Sequence, residues 1–166
     1  MQLSLVPITK ELQKVPFDCG YPDLNSYFKH YALKNDTLMI GKTFVAIDDS
    51  GIVTGFMTFS NARIEATNLP ESITRKLPRY PVPAFRIGKL AVDSRFQGMG
   101  VGSWLLKMAL QRALDVSTSV GIFAVLVDAI DEKAKDFYLR YGFIPMDDHP
   151  LTLYLPLATI RQARES

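Results

Sequence analysis

Six consecutive residues, Gln97-Gly98-Met99-Gly100-Val101-Gly102, have the types and spacing to hold an anion. Glycine at alternate positions lets backbone amides approach a ligand with no Cβ in the way. A helix follows, and the unpaired N–H groups and dipole at a helix start favour phosphate. The stretch therefore reads as a pyrophosphate cradle. It is not a P-loop, which closes on Lys-Ser/Thr, because Gly102 is followed by Ser103-Trp104. A dinucleotide-binding turn needs G-x-G-x-x-G, whereas Gly98, Gly100 and Gly102 alternate, and too little chain remains for the rest of a doubly wound sheet.

The elements that must position this cradle can be read from pattern. Phe85–Val92 is an apolar strand entering it, preceded by Pro81 and Pro83, which do not suit the interior of a central strand. Gly100–Val116 is the helix leaving it, with Leu105, Leu106, Met108, Ala109, Leu110 and Leu114 as a broad buried face. Ile122–Ala129 is nearly continuous in apolar residues, as expected for a strand covered on both sides. A short helix follows over Glu132–Tyr141, with Gly142 in the left-handed position that ends it.

Upstream, Leu3–Ile8 reads as an edge strand. Leu24, Tyr27, Phe28 and Tyr31 make one stripe on a helix over Pro22–Leu33, which Pro22 can open. Lys42–Asp48 and Ile52–Ser60 form a hairpin around Asp49-Ser50-Gly51. Ala66–Pro83 is a proline-rich excursion with a short helix at Pro70–Lys76, and connections this long are usually functional or mobile. Phe143-Ile144 and Leu151–Leu157 supply the last strands, and Arg161–Ser166 should fray.

Composition sets the bounds. At 166 residues a single domain over residues 1–166 is expected, with a core large enough to need no staples. One cysteine, Cys19, excludes an internal disulfide framework and suits a reducing compartment. No apolar run approaches the ~20 residues of a membrane span, and Met1-Gln2-Leu3-Ser4-Leu5 does not open a signal peptide, so a cytoplasmic protein with no membrane partner is expected. The net charge is only +2, but its distribution is uneven. Arg63, Arg75, Lys76, Arg79, Arg86 and Lys89 crowd the approach to the cradle and could attract an anionic substrate. Cys19 with His30 makes no thiol-enzyme motif, and His149 beside Asp147 and Asp148 is too few ligands for a metal site.

The pattern Gln-x-x-Gly-x-Gly after Leu90-Ala91-Val92-Asp93, followed by strand, helix and Ala134-Lys135-Asp136-Phe137-Tyr138-Leu139-Arg140-Tyr141-Gly142-Phe143, resembles the GCN5-related N-acetyltransferase (GNAT) superfamily over nearly the whole chain. The resemblance implies an α/β fold with a mixed, mostly antiparallel central sheet flanked by helices, whose central strands splay to hold coenzyme A. It also implies acetyl-CoA as cosubstrate, and no metal. Backbone groups of Leu90, Ala91 and Val92 would pair with the pantetheine arm, Gln97, Gly98, Met99, Gly100, Val101, Gly102 and Ser103 would hold the pyrophosphate, and Ala134 and Phe137 would flank the arm.

A narrower resemblance runs through Phe17-Asp18-Cys19-Gly20, Leu24-Asn25, Tyr31-Ala32, Lys42-Thr43-Phe44-Val45 and Ala134–Tyr138. These stretches look like the acetyltransferase toxins of bacterial toxin–antitoxin pairs, which acetylate the amino group of aminoacyl-tRNA. That implies charged tRNA as substrate, a ribbon-helix-helix antitoxin, a homodimer, and action of Tyr138 at the thioester. A phenol near pKa 10 can protonate a departing thiolate, which gives Tyr138 that role on chemical grounds as well. The strand Phe85–Val92 carries no Asp, Glu or His to serve as base, leaving Glu65 as the nearest candidate. A lysine amine, near pKa 10.4, would need one; an α-amine, near 7.7 and lower beside an ester, is already largely neutral. An aminoacyl ester fits. A small-molecule or protein N-acetyltransferase, and a non-catalytic module binding coenzyme A or RNA, are the alternatives.

Overall fold

The structure, a computed structural model, describes residues 1–79 and 81–165. Its seven-stranded sheet has the order β1-β2-β3-β4-β5-β7-β6, where β1 is Ser4–Pro7, β2 Lys42–Ile47, β3 Val53–Ile64, β4 Val82–Val92, β5 Ala124–Asp128, β6 Ile144–Pro145 and β7 Thr152–Pro156. The pairs β1–β2, β2–β3, β5–β7 and β6–β7 are antiparallel, and β4–β5 is parallel. This is the mixed, mostly antiparallel α/β sheet expected. The chain packs as two compact units, one of Met1–Ser60 with Gly88–Ala109, the other of Asn61–Ile87 with the chain from Leu110 onward.

In the first unit, β2 and β3 are joined by a turn that Asp48 closes. Its carboxylate accepts from the amides of Ser50 and Ile52 at 2.9 Å each, and Gly51 takes φ +80°, a conformation that favours glycine. The start of β3, Val53–Phe59, is buried at every residue, so it has no solvent face. Gly55 lies there, and a Cβ on it would fall 2.7 Å from the Ala91 carbonyl oxygen. Glycine is required by that close approach.

Helix α1 is Lys10–Gln13. The helix expected over Pro22–Leu33 is longer and interrupted: α2, Pro22–Ser26, passes through a π-helical turn, Tyr27–Tyr31, into α3, Ala32–Thr37. The Ala32 amide reaches back five residues to the Tyr27 carbonyl, which inserts one residue into the helical ladder. Leu24, Phe28 and Ala32 still share one core with Ile8, Val45, Phe56 and Ala91. Phe28 and Phe56 meet at a ring separation of 5.0 Å.

In the second unit, the parallel register runs Ala84–Ile87 against Ala124–Val127. Strand β4 begins at Val82, three residues earlier than the prolines suggest, and includes Pro83. A proline beside a strand's first residue loses little ladder bonding, and the Pro83 carbonyl still accepts from the Phe123 amide at 2.9 Å. The proline-rich excursion is anchored: helix α4, Glu71–Thr74, follows Leu69, which packs with Ile64, Val82, Ala84, Leu126 and Tyr154 in a second core. Helices α5, Val101–Ser117, and α6, Glu132–Leu139, agree closely with expectation.

The tail does not fray where expected. Leu157–Glu165 forms helix α7, burying Leu157 and Ile160, with the Leu157 amide on the Phe123 carbonyl at 2.8 Å and Arg164 on Gln111 at 2.6 Å. Two apolar residues three apart dock a helix whose other positions are polar, a weak signal in sequence. Among the described residues no helix is long and apolar enough to cross a membrane.

Candidate active site

Strand β4 leads through Asp93 and a single 3₁₀ turn, Ser94–Phe96, into the cradle. Gly98 and Gly100 take φ +78° and +85°, so the alternation of glycines reflects left-handed backbone that side-chain-bearing residues adopt at a cost. A Cβ built on either meets nothing within 4 Å. The space the glycines face is open, and Met99 between them is exposed. Helix α5 closes its first bond from Trp104 to the Gly100 carbonyl, 3.0 Å. The amides of Gly98, Gly100, Val101 and Gly102 donate to no protein group among the described residues. Open amides at the start of a 17-residue helix fit a pyrophosphate.

Gln97 differs from the expectation in one respect. Its side-chain amide is turned into the protein, donating to the Val92 carbonyl at 3.0 Å and the Cys19 carbonyl at 3.1 Å. The neighbouring bonds show why Phe17–Asn25 has its composition. The Asp18 amide donates to Asp93 Oδ2 at 3.2 Å, and the Ser94 amide returns a bond to the Asp18 carbonyl at 2.8 Å. The Asp18 carboxylate accepts from Gly20 N and Asn25 Nδ2, both at 2.9 Å, while Asn25 Oδ1 accepts from Cys19 N at 2.9 Å. Sequence reasoning assigns no role to Asp18, Asn25 or Asp93. The available signal is an aspartate two residues before a glycine, the arrangement of an Asx turn.

Asp93 is 3% exposed. Burial alone would raise its carboxyl, but hydrogen bonds from the Arg95 guanidinium and amide and from the Asp18 amide outweigh that and hold it below the usual carboxylate range. Bonds from Gly20 and Asn25 likewise lower Asp18. Cys19 is buried, and burial pushes its thiol up, the opposite of what a nucleophilic cysteine needs.

Of the remaining cradle-side residues, Leu90, Ala91 and Val92 close β4, with Ala91 buried. Lys89 lies with its ammonium 4.9 Å from the centre of the Tyr27 ring, in a cation–π contact.

The second unit carries the tyrosine. Helix α6 is capped by Asp131, whose carboxylate accepts from the Ala134 amide at 2.9 Å, and Gly142 leaves it at φ +88°. Tyr138 is 5% exposed, held between Phe137 and Phe143 with ring separations of 5.2 and 5.5 Å. Burial pushes its phenol well above the ordinary value, and the Asp128 carboxylate adds to that. The hydroxyl is therefore a proton holder at neutral pH. Phe137 and Ala134 are half-buried on the same helix, and Tyr141 packs on Phe137.

The basic run is less free than its charges suggest. Arg86 is ion-paired with Asp128, which also accepts from the Thr152 hydroxyl at 3.4 Å. Arg75 pairs with Glu71 at 3.4 Å and Arg63 with Glu65 at 3.5 Å, both exposed. Such surface pairs hold their partners weakly. Lys76 and Arg79 are exposed and show no ion pair among the described residues.

The sequence pattern of the acetyltransferase (GNAT) domain matches residues 40–145, which contain the cradle and Tyr138. The chain belongs to the GNAT acetyltransferases. Within that family it is 34% identical over 145 residues to the tRNA-acetylating toxin of Mycobacterium tuberculosis, spanning 87% of this chain and 86% of that one. The fold is similar to that of AtaT complexed with acetyl-methionyl-tRNAfMet, with a TM-score of 0.88 and 28% identity over 98% of this chain and 99% of that one. It is similar also to an AtaT mutant toxin bound to the C-terminus of the antitoxin AtaR and acetyl-CoA, with a TM-score of 0.81 and 25% identity over 100% of both chains.

Proposed function

We propose that this GNAT acetyltransferase is a toxin that transfers acetyl from acetyl-CoA to the α-amino group of aminoacyl-tRNA and so blocks translation. The observation that carries the reading is the set of open amides at Gly98, Gly100, Val101 and Gly102, in a chain that resembles a tRNA-acetylating toxin over most of its length. Acetyl-CoA, when bound, supplies the acetyl group as a thioester. The backbone of Gln97–Ser103 would hold its phosphates, the β4 backbone at Leu90, Ala91 and Val92 would orient the arm, and Ala134 and Phe137 would exclude water beside it.

Tyr138 holds a proton at its phenolic oxygen for the sulfur that leaves; burial raises its phenol, which keeps it protonated and makes it a weaker acid. Strand β4, Val82–Val92, carries no carboxylate or imidazole, which favours an amine already neutral at physiological pH, as an aminoacyl ester provides. Arg63, Arg75, Lys76 and Arg79 supply positive charge toward the tRNA phosphates, with Arg86 and Lys89 on β4 already engaged by Asp128 and the Tyr27 ring. A ribbon-helix-helix antitoxin partner, a homodimer and a cytoplasmic setting belong to the same reading; the AtaT–AtaR complex supports the antitoxin.

The test is single-turnover acetylation of total charged tRNA by the parent and by Tyr138→Phe. The expected result is acetyl-aminoacyl-tRNA from the parent, and a rate roughly 10²-fold lower in the variant, about 2.7 kcal/mol of transition-state stabilisation. Acetylation of free amines or proteins in place of charged tRNA would move the chain to the small-molecule or protein acetyltransferases. Coenzyme binding without transfer to any amine would make it a binding module. A variant rate within threefold of the parent would return Tyr138 to packing.

A further inference from the structure

The bonds around Gln97 join two segments far apart in sequence, and every bond is directional. Segment 17–25 gives its Cys19 carbonyl to Gln97 and its Asp18 amide to Asp93, and it takes the Ser94 amide on its Asp18 carbonyl. Asn25 ties that segment to itself with one accepted and one donated bond, and the Asp93 amide is fixed in turn to the Thr54 carbonyl at 2.9 Å. The four residues from Asp93 to Phe96 are thus clamped on one side by segment 17–25 and on the other by β3. Just beyond lie Gly98 and Gly100, with left-handed backbone, and the open amides of Gly98, Gly100, Val101 and Gly102. Glycines give that loop its shape but no rigidity, because they have the widest conformational freedom of any residue. Rigidity must come from the ends.

We propose that segment 17–25 is a brace that fixes the shape of the coenzyme loop, with Gln97 as a latch between the two and Asp18, Asn25 and Asp93 as positioning residues. Gln97 then serves the phosphates through its backbone, and its side chain acts inward. Holding the amides ready in advance reduces the ordering cost of binding. The brace sets coenzyme affinity and leaves the chemical step alone. The inference rests on the reading of this loop as the acetyl-CoA site.

Gln97→Glu is the sharpest probe, because it keeps size and replaces a two-hydrogen donor with an acceptor facing two carbonyl oxygens. Asn25→Ala removes the strut without touching the loop. Coenzyme A affinity is measured by calorimetry for the parent, both single variants and the double variant, beside melting temperature and the separate KM and kcat for acetyl transfer. Each single variant is expected to weaken coenzyme binding about tenfold and raise KM for acetyl-CoA to match, with kcat within threefold. The double variant should be no weaker than the worse single one, because residues in one hydrogen-bond network do not act additively. Lowering the pH should restore part of the loss in Gln97→Glu, as its carboxyl regains one hydrogen to donate in place of two.

Parent-like binding by Asn25→Ala would overturn the proposal, as would a double variant whose loss is the product of the two single losses, the mark of a Gln97 side chain that touches phosphate directly. Should Asn25→Ala fail to fold, Asn25→Asp keeps the bond from the Cys19 amide and turns the one to Asp18 into a repulsion between carboxylates, and the same comparison applies. A parent that binds no coenzyme A would strike the functional reading itself. That outcome is distinct from a parent that binds and variants that bind equally well.

Discussion

Two regions of this molecule offer positive potential to phosphate by different physics. The loop Gly98–Gly102 does it with backbone amides, fixed in direction by left-handed glycines and by the helix they open. The segment from Arg63 to Arg79 does it with side-chain charge, exposed and partly engaged by Glu65 and Glu71. Fixed amides select a ligand of one shape and respond little to salt. Solvated arginines and lysines attract any polyanion and are screened within about 10 Å at ordinary ionic strength. In the proposed function a cosubstrate suits the first device and a long RNA the second.

The comparison breaks most easily at Gly100. Valine there must adopt φ +85°, which costs a β-branched residue on the order of 1–3 kcal/mol, or else the loop changes shape. At the upper end this is about a 100-fold loss of coenzyme affinity, and calorimetric titration should show it at every salt concentration. An unchanged dissociation constant in a folded variant would mean that the loop is a connector.

Charge reversal in the other region should give a smaller effect with the opposite salt behaviour. Arg75, Lys76 and Arg79 changed together to glutamate should weaken charged-tRNA binding while leaving coenzyme A binding at its parent value. The slope of log affinity against log salt should flatten by about 0.7–0.9 for each RNA phosphate that the variant no longer neutralises. Binding and slope both unchanged would make this segment solvated surface. Arg86 is left out of the set because Asp128 already holds it.

The smallest effect concerns acid. Asp93 and Asp18 have carboxyls held below their ordinary values, so their bonds contribute fully above the unfolded value near 4 and are lost as the pH falls below it toward the depressed folded values. Coenzyme affinity should be flat between about pH 8 and 5 and fall only below about pH 4. Asp93→Asn should flatten that acid limb. An affinity change centred near neutrality would point to a group outside this network.

What can be read from the sequence is whatever a local pattern forces. Gly98, Gly100 and Gly142 announce backbone that only glycine adopts readily, and all three have positive φ. The hairpin of β2 and β3, the buried run of β5 and the long face of α5 come from local pattern, and with the cradle they carry the fold. Pairings across long separations cannot be read. Arg86 looks like a free cation until Asp128, 42 residues away, is placed beside it, and the Gln97 side chain looks like a phosphate ligand until the Cys19 carbonyl, 78 residues away, is placed beneath it. The π-helical turn at Tyr27–Tyr31 leaves Leu24 and Phe28 of the expected stripe in one core, joined by Ala32, while Tyr31, its last member, is exposed.

Cys19 has one more consequence. Its thiol is sealed in the core, 3% exposed, and is kept neutral there, while its own carbonyl is the one Gln97 grips. The chain has no other thiol. An alkylating reagent can reach this sulfur only when the core around it opens, so the rate of labelling reports those openings. The molecule carries its own clock for the breathing of the core beneath Gln97.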